Sequence, residues 1–256
     1  MGTVATVQIA DPLPPADLER LVRAAFDWLH EVDRRFSTYR DESEISRLAR
    51  GEVSVAGCSD DCRLVLQRCA QLWRCTDGYF DAYATGRLDP SGFVKGWSVQ
   101  VASEMLTAAG APNHLVAAGG DFQTRGRPAP GEDWQIGVRH PWRRDRLAWL
   151  LHGTDLAVAT SGTYERGAHV VDPRRGVPAT GLRSVTVVGR DLGETDAYAT
   201  AALATGSTGP DWLVRLDGYA VAVVTDDGRA LRSATLPCRT AGRWGRYAGA
   251  PPPSRA

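Results

Sequence analysis

The side chains best suited to chemistry lie in residues 159–206. This segment combines the small donors of Thr160-Ser161-Gly162 with one imidazole, His169, and with Asp196 and Thr200, which are four residues apart. The alanine-rich sequence around the last two predicts a helix, so the carboxylate and the hydroxyl share one helical face. Mg²⁺ prefers such hard oxygen ligands and completes its shell with water and substrate phosphates. The pair therefore indicates a magnesium site, and a helix N-cap Asp beside an outward Thr is the alternative.

Hydrophobic periodicity predicts strands and helices in alternation around these residues. Apolar residues three and four apart predict helices, and alternation or short apolar runs predict strands. The expected helices cover 17–35, a short stretch after Asp41, 61–77, 95–109 and 196–206, and the expected strands cover 3–9, 114–118, 134–139, 147–151, 156–159, 183–188 and 218–225. Because both types mix throughout, we expect an α+β (mixed α/β) fold with one domain over residues 1–238. Residues 239–256, which end in a proline-rich stretch, predict a poorly ordered tail.

Two further stretches carry binding features. The turn Leu88-Asp-Pro-Ser-Gly-Phe-Val-Lys-Gly96 enters a helix, where free backbone groups can bind an ion and Lys95 adds a positive charge. An ordinary solvated lysine is the alternative, although a cation at this position opposes the helix dipole. Tyr79 and Phe80, beside Asp81, offer flat apolar surfaces with a polar edge for a ring system, or else belong to the core.

The order of the motifs along the chain is more specific than any one of them. The series is Phe36-Ser-Thr-Tyr39, Gly78-Tyr-Phe-Asp81, the turn at 88–96, Leu115-Val-Ala-Ala-Gly-Gly-Asp121, Thr160-Ser-Gly162, His169-Val-Val-Asp-Pro173 and Asp196-Ala-Tyr-Ala-Thr200. Each short motif is common by itself, and the Gly-Gly-Asp run falls short of a full dinucleotide fingerprint. As an ordered set over nearly the whole chain, they resemble the ApbE family of FAD:protein FMN transferases.

The resemblance implies a role for each motif. It implies one compact unit of two intimately packed lobes with the flavin nucleotide between them. It implies that magnesium is held by Asp196, Thr200 and the backbone carbonyls of Gly92 and Ala199. The residues expected to contact FAD are Met1, Tyr39, Tyr79, Phe80, Asp81, Asp89, Lys95, Gly119, Gly120, Asp121, Thr160, Ser161 and Val170.

His169 is the candidate for acid–base catalysis. Transfer of FMN from FAD to a Thr or Ser hydroxyl of a partner flavoprotein, with release of AMP, needs a base for the hydroxyl and a counter-charge for the leaving phosphate. Histidine titrates near neutrality and magnesium can bridge pyrophosphate oxygens, so together they meet both needs. Two other functions stay open on the sequence: an FAD pyrophosphatase that gives FMN and AMP, and a non-catalytic FAD-binding protein.

The composition limits the partners and the compartment. The formal net charge is +0, which argues against a nucleic-acid partner. Neither a signal peptide nor a membrane span is visible, so we expect a cytoplasmic protein, or an exported one if the sequence is a trimmed mature form. The 5 cysteines lack the C-x-x-C pairs and the histidine spacing of a zinc site, so we expect reduced thiols. An exported form would instead pair Cys58 with Cys62 or Cys75.

Three residues depart from the family pattern. Ala117 stands where Asn is usual, Arg175 where Thr is usual, and Gln100 where an acidic residue is common. None of them removes a proposed metal ligand or His169. We therefore expect activity, with differences in acceptor choice and in nucleotide affinity.

Overall fold

A seven-stranded antiparallel sheet organises the chain. The computed structural model describes residues 3–143, 145–163 and 170–238. Within these residues the α-helices are α1 (Pro15–Phe36), α2 (Glu44–Ala49), α3 (Asp60–Cys75), α4 (Ser91–Ala108), α5 (Leu192–Thr205) and α6 (Gly209–Leu213), with short 3₁₀ helices at Val55–Gly57 and Gly206–Thr208. The strands are β1 (Ala5–Ile9), β2 (His114–Ala118), β3 (Asp121–Arg125), β4 (Trp134–Arg139), β5 (Leu147–Gly153), β6 (Ala157–Gly162), β7 (Val171–Asp172), β8 (Val177–Pro178), β9 (Leu182–Gly189), β10 (Ala220–Thr225) and β11 (Ala230–Arg232).

The strand order brings distant motifs to one region of the sheet. The order is β1-β2-β3-β6-β9-β10-β11, and two-stranded sheets are formed by β4 with β5 and by β7 with β8. The β2–β3 turn at Gly119 and Gly120 lies beside β6, where the Thr160 N–H donates to the Gly120 carbonyl at 3.1 Å. The Gly-Gly turn and the Thr160-Ser161 pair therefore lie side by side, although they are far apart in sequence.

Both faces of the central strands are buried, which explains their continuous apolar runs. In β9, Val185 and Val187 pack into the core with the helices, whereas Val188 packs on the opposite face against the β4–β5 hairpin. In β6, Ala159 and Val158 divide in the same way. On the helical side, α4 packs against β2 and β3, α5 packs against β6 and β9, and α1 packs on α4. The sheet is thus covered on one face by helices and on the other by a hairpin.

Helix α5 is buried on nearly all sides because it lies between the sheet and α4. Its alanines present little bulk, so both neighbours come close. The helix begins at Leu192 because the Asp191 carboxylate caps it and accepts the Glu194 N–H at 2.8 Å. Asp196 therefore lies inside the helix, and the alternative of an Asp196 N-cap is wrong.

Most expected elements are present, and the expected mixed α+β class is confirmed. The helical stripe predicted at 17–35 is α1, which buries Leu21, Ala25 and Leu29 along one face. Helix α4 begins at Ser91, four residues before the predicted start, because the Asp89 carboxylate accepts the Ser91 N–H at 3.0 Å and fixes the turn. Strand β3 was not predicted, because most of its residues are polar and give no apolar pattern, although most of these are buried.

The 5 cysteines lie within the described residues, and Cys58, Cys62, Cys69 and Cys75 are free thiols. Cys58, Cys62 and Cys69 are buried, and Cys75 is exposed. Burial raises the pKa of Cys62 and of Cys69 to about 12, so both thiols are protonated at neutral pH. Among the described helices, we find none with the length and hydropathy needed to span a lipid bilayer.

Gly96 sets how closely α4 and α5 approach. A Cβ atom at this position would overlap the Leu192 carbonyl oxygen and would lie 3.0 Å from the Asp196 Cβ. We predict that Gly96→Ala lowers the free energy of unfolding by about 1–3 kcal/mol, because rigid helix backbones must separate. Chemical denaturation measures this change. Gly57→Ala is the matched control, since its nearest atom would be the Ser54 Oγ at 3.7 Å. Equal losses in the two variants would contradict the close-approach explanation.

Candidate functional site

A cavity of about 1590 Å³ lies where the first turn of α4, the middle of α5, the β2–β3 turn and the end of β6 meet. Pockets for drug-sized molecules are about 300–1,000 Å³, so this cavity has room for a larger ligand. The residues singled out from the sequence that line it are Tyr39, Tyr79, Phe80, Asp81, Asp89, Gly92, Lys95, Gly119, Gly120, Thr160, Ser161, Val170, Asp196 and Thr200. The fold thus collects residues from most of the chain in one place.

Two of the expected site residues that the structure describes do not line the cavity. Asp121 and Ala199 are fully buried behind it. Met1 and His169 lie outside the described residues. Asp121 therefore faces Lys95 from within the protein, which differs from the direct nucleotide contact expected from the sequence.

Lys95 joins two buried carboxylates at the base of the cavity. Its ammonium contacts the Asp121 carboxylate and lies 3.1 Å from Asp196 Oδ2. The Gly96 N–H also donates to Asp196 Oδ2, at 3.3 Å. The side chains of Asp121 and Asp196 are 0% and 3% exposed and that of Lys95 is 22% exposed, so water screens the two carboxylates little and reaches the ammonium from the cavity.

The electrostatics of the cluster favour either a proton on Asp196 or a further cation beside it. Burial and the charge of Asp121 raise the pKa of Asp196 well above its usual range, although Lys95 opposes this shift. Burial alone would lower the pKa of Lys95, but the two carboxylates outweigh it and raise that pKa. Two carboxylates share one ammonium, and the buried Asp121 Oδ1 has no hydrogen-bond partner. A further cation here would relieve the imbalance.

Lys95 is also the only lysine of the chain, and every other residue among the 30 Lys and Arg is arginine. An ammonium is compact and can aim three donors at different acceptors, whereas a guanidinium is a wide planar fork. A site between two closely spaced carboxylates suits the compact group. This explains why lysine stands here in a chain that otherwise uses arginine.

Hydroxyl groups extend the oxygen-rich surface next to Asp196. Thr200 is one helical turn further along α5, and its Oγ1 lies 3.2 Å from the Ser161 Oγ. Gly92 of the α4 first turn lies next to the Thr200 hydroxyl: a Cβ atom built on Gly92 would be 3.6 Å from the Thr200 Oγ1. One carboxylate, two hydroxyls and a nearby turn backbone form a hard donor set. This set, beside two carboxylates that share one ammonium, fits a magnesium ion.

The aromatic residues form the outer part of the cavity. Tyr39 is 90% exposed and offers an uncovered ring face at the rim. Phe80 is 3% exposed, so most of its ring belongs to the core. Tyr79 is half-buried and stacks against the Arg174 guanidinium, whose carbon lies 4.4 Å from the ring centre. Arg174 also donates to the Asp77 carbonyl at 2.7 Å, and so fastens the β7–β8 hairpin to this wall.

Three arginines of the cavity wall were not identified from the sequence: Arg40, Arg87 and Arg139. Arg139 comes from the β4–β5 hairpin, whose strand β4 alternates strictly between buried and exposed residues. That alternation could have shown that Arg139 points away from the hairpin core. It could not have shown that the hairpin reaches the cavity. The three guanidinium groups favour an anionic ligand.

Comparison with known proteins places the chain in a family. Residues 1–86 and 82–223 match the family model described as the ApbE family. The chain belongs to the ApbE family. Among similar curated proteins, the FAD:protein FMN transferase of Vibrio cholerae is 29% identical over 153 residues, which are 55% of this chain and 46% of that protein. The transferase of Rhodobacter capsulatus is 31% identical over 153 residues, which are 56% of this chain and 29% of that protein.

These matches span about half or less of the curated relatives' length. Solved structures of the ApbE family are similar over more of the chain. The flavin transferase ApbE from Vibrio cholerae has a TM-score of 0.77 at 23% identity and covers 91% of this chain and 94% of its own. The ApbE protein from Thermotoga maritima has a TM-score of 0.78 at 20% identity, and the match covers 91% of this chain and 97% of the Thermotoga chain. At these identities the similarity establishes a shared fold.

The Lys95 cluster leads to a prediction about stability. Lys95→Met leaves two buried carboxylates without their ammonium, so we expect the free energy of unfolding to fall by about 3–5 kcal/mol. Added Mg²⁺ should recover part of the loss and raise the melting temperature more than in the unsubstituted protein, because the cation replaces the missing charge. Thermal unfolding with and without Mg²⁺ measures both effects.

The matched control is Arg20→Met. Arg20 pairs with Asp17 at 3.1 Å, but the two side chains are 64% and 48% exposed. Such a surface pair contributes about 0–1 kcal/mol. A Lys95→Met loss as small as that of the control, or one that Mg²⁺ leaves unchanged, would contradict the charge assignment.

Proposed function

We propose that this protein transfers FMN from FAD to a Thr or Ser hydroxyl of a partner flavoprotein in a magnesium-dependent reaction that releases AMP. The observation that carries the proposal is the convergence of Lys95, Asp196, Thr200 and Ser161 on one wall of a large cavity, in a member of the ApbE family. Several curated relatives are named FAD:protein FMN transferase, which supports the same activity here.

The cavity offers separate surfaces for the rings of FAD and for its pyrophosphate. The rim provides the exposed ring of Tyr39 and the half-buried ring of Tyr79, on which a flat heterocycle can stack. The base provides the Lys95 ammonium and the hydroxyls of Thr160 and Ser161, which suit pyrophosphate oxygens. The magnesium ligands would be Asp196, Thr200 and the carbonyls of Gly92 and Ala199. When bound there, magnesium would supply charge neutralisation for the pyrophosphate.

The reaction forms one phosphorus–oxygen bond and breaks another. The acceptor hydroxyl oxygen attacks the FMN phosphorus, the pyrophosphate bond opens, and AMP leaves with the bridging oxygen. The hydroxyl proton passes to a base, for which the family resemblance proposes His169. In support, none of the other four histidines, His30, His114, His140 and His152, which are all described, lines the cavity.

The proposed activity is tested with the full chain, FAD, Mg²⁺ and a flavoprotein acceptor. Intact mass should show one added FMN phosphodiester on the acceptor, together with an equal amount of AMP. An acceptor with its target Thr or Ser changed to Ala should gain no mass. Rapid release of FMN and AMP that no acceptor diverts would instead show a pyrophosphatase. FAD binding without turnover would show a non-catalytic flavin-binding protein.

The proposed metal ligands give a prediction on turnover. Asp196→Asn and Thr200→Val keep side-chain volume but remove a charge or a hydroxyl, so each should lower the rate of FMN transfer by about 10²-fold or more. The rate is measured as AMP release at saturating FAD over a range of Mg²⁺. Asp27→Asn on the exposed side of α1 and Thr205→Val at the end of α5 are matched controls outside the cavity wall. Full activity of both ligand variants would refute the metal assignment.

His169 gives a second prediction. His169→Ala should keep the affinity for FAD and lower transfer by about 10²–10⁴-fold, because a general base contributes to rate without being needed for binding. Flavin fluorescence quenching measures the affinity, and AMP release measures the rate. If the affinity falls along with the rate, His169 is a binding group and the base is a different residue.

A further inference from the structure

A second cluster of metal-binding residue types lies away from the cavity, where α2 and α3 begin. Glu44 is the first residue of α2, Cys58 precedes α3, and Cys62 lies in the first turn of α3. Each residue offers one ligand atom: Glu44 a carboxylate oxygen, and Cys58 and Cys62 an Sγ each. These three atoms all lie within 4.8 Å of one another. Cys58 is 4% and Cys62 0% exposed. Within the described residues, this is the group of three or more His, Cys, Asp or Glu side chains that converges closely enough to hold a metal ion.

The spacing of the three atoms is close to what one tetrahedral ion requires. With Zn–S bonds near 2.3 Å and Zn–O bonds near 2.0–2.2 Å, two sulfurs on one ion are about 3.8 Å apart, and a sulfur and an oxygen about 3.5 Å. Distances below 4.8 Å therefore need only small side-chain shifts. The Ser54 carbonyl oxygen lies 3.4 Å from the Cys58 Sγ and accepts the Gly57 N–H at 3.0 Å, which leaves one lone pair for a fourth ligand bond.

The surroundings of the cluster already orient the carboxylate. The Glu44 oxygens accept the Ser59 N–H at 2.5 Å and the Ser59 O–H at 2.7 Å. Each carboxylate oxygen has a second lone pair, so these bonds leave room for a metal. Such outer hydrogen bonds hold metal ligands in place in known sites.

The charge of a filled site suits its position. Metal binding would release the protons of the two thiols to solvent, after which two thiolates, one carboxylate and a divalent ion carry a net charge of about −1. The first turn of α3 presents the positive end of a helix dipole, which favours negative charge. The 3₁₀ segment Val55–Gly57, which directly precedes Cys58, is exposed.

We propose that Glu44, Cys58 and Cys62 bind a thiophilic divalent ion of the zinc type, which fastens the start of α2 to the start of α3. Two sulfur donors select such an ion over Mg²⁺, which prefers oxygen. The site is independent of the cavity and of the proposed transfer reaction.

Cadmium is the probe, because thiolate-to-cadmium charge transfer absorbs in the ultraviolet. The full chain, reduced and freed of metal, should bind one equivalent of Cd²⁺ with this absorption, and a large excess of Zn²⁺ should compete for the site and reduce the absorption. Cys58→Ser and Cys62→Ser should each lose the stoichiometric absorption, and Glu44→Gln should weaken binding about tenfold or more. Cys69→Ser, a buried thiol further along α3, and Cys75→Ser, an exposed one, should behave like the unsubstituted protein.

Far-ultraviolet circular dichroism checks that each variant is folded, so that a lost site is not a lost fold. If the absorption survives in Cys58→Ser and Cys62→Ser, or needs partly unfolded protein, the proposed site is wrong. An intact mass that shows these two thiols already joined as a disulfide in freshly purified protein would equally overturn it.

Discussion

The ammonium of Lys95, held between the buried carboxylates of Asp121 and Asp196, is the interaction on which the candidate site depends. A buried carboxylate is strongly unfavourable unless a cation and hydrogen bonds compensate it. Lys95 supplies one positive charge for two carboxylates, so the cluster stays oxygen-rich and short of positive charge. That shortage makes the base of the cavity suitable for a magnesium ion. The same interaction joins β3, α4 and α5, so the ion cluster that forms the base of the site also holds these three elements together.

The close crossing of α4 and α5 makes this interaction possible. Gly96 lets the two helix backbones approach until the Asp196 carboxylate accepts the Gly96 N–H and meets the ammonium of the preceding residue. The alanine-rich sequence of α5 allows the same closeness to the sheet, where Ser161 of β6 reaches the Thr200 hydroxyl. Small residues at the contact surfaces therefore decide where the polar groups meet. The wider parts of the cavity come from loops and from the β4–β5 hairpin.

Local patterns predicted the elements better than the contacts between them. Asp196 and Thr200 could be placed on one helical face because four-residue spacing is a property of any helix. Strand β3 was missed because Asp121, Gln123 and Thr124 are polar yet fully buried, and their burial comes from strands and helices distant in sequence. The pairing of Asp121 with Lys95 is likewise set by the tertiary fold. Cys58 and Cys62 have three intervening residues, a spacing that zinc sites use, but the sequence offers no second Cys or His pair with a matching spacing. Only the turn before α3 brings the two thiols to Glu44.

The most direct measurement is nuclear magnetic resonance of the chain labelled with ¹⁵N-lysine, because Lys95 is its only lysine. The account predicts one ammonium signal with slowly exchanging protons that stays protonated through neutral pH, since the two carboxylates raise the pKa of Lys95. The signal should shift when FAD and Mg²⁺ are added together and should stay in place with riboflavin, which lacks the pyrophosphate. An ammonium signal in fast exchange with water, or one that FAD and Mg²⁺ do not move, would contradict the central role of the Lys95 cluster.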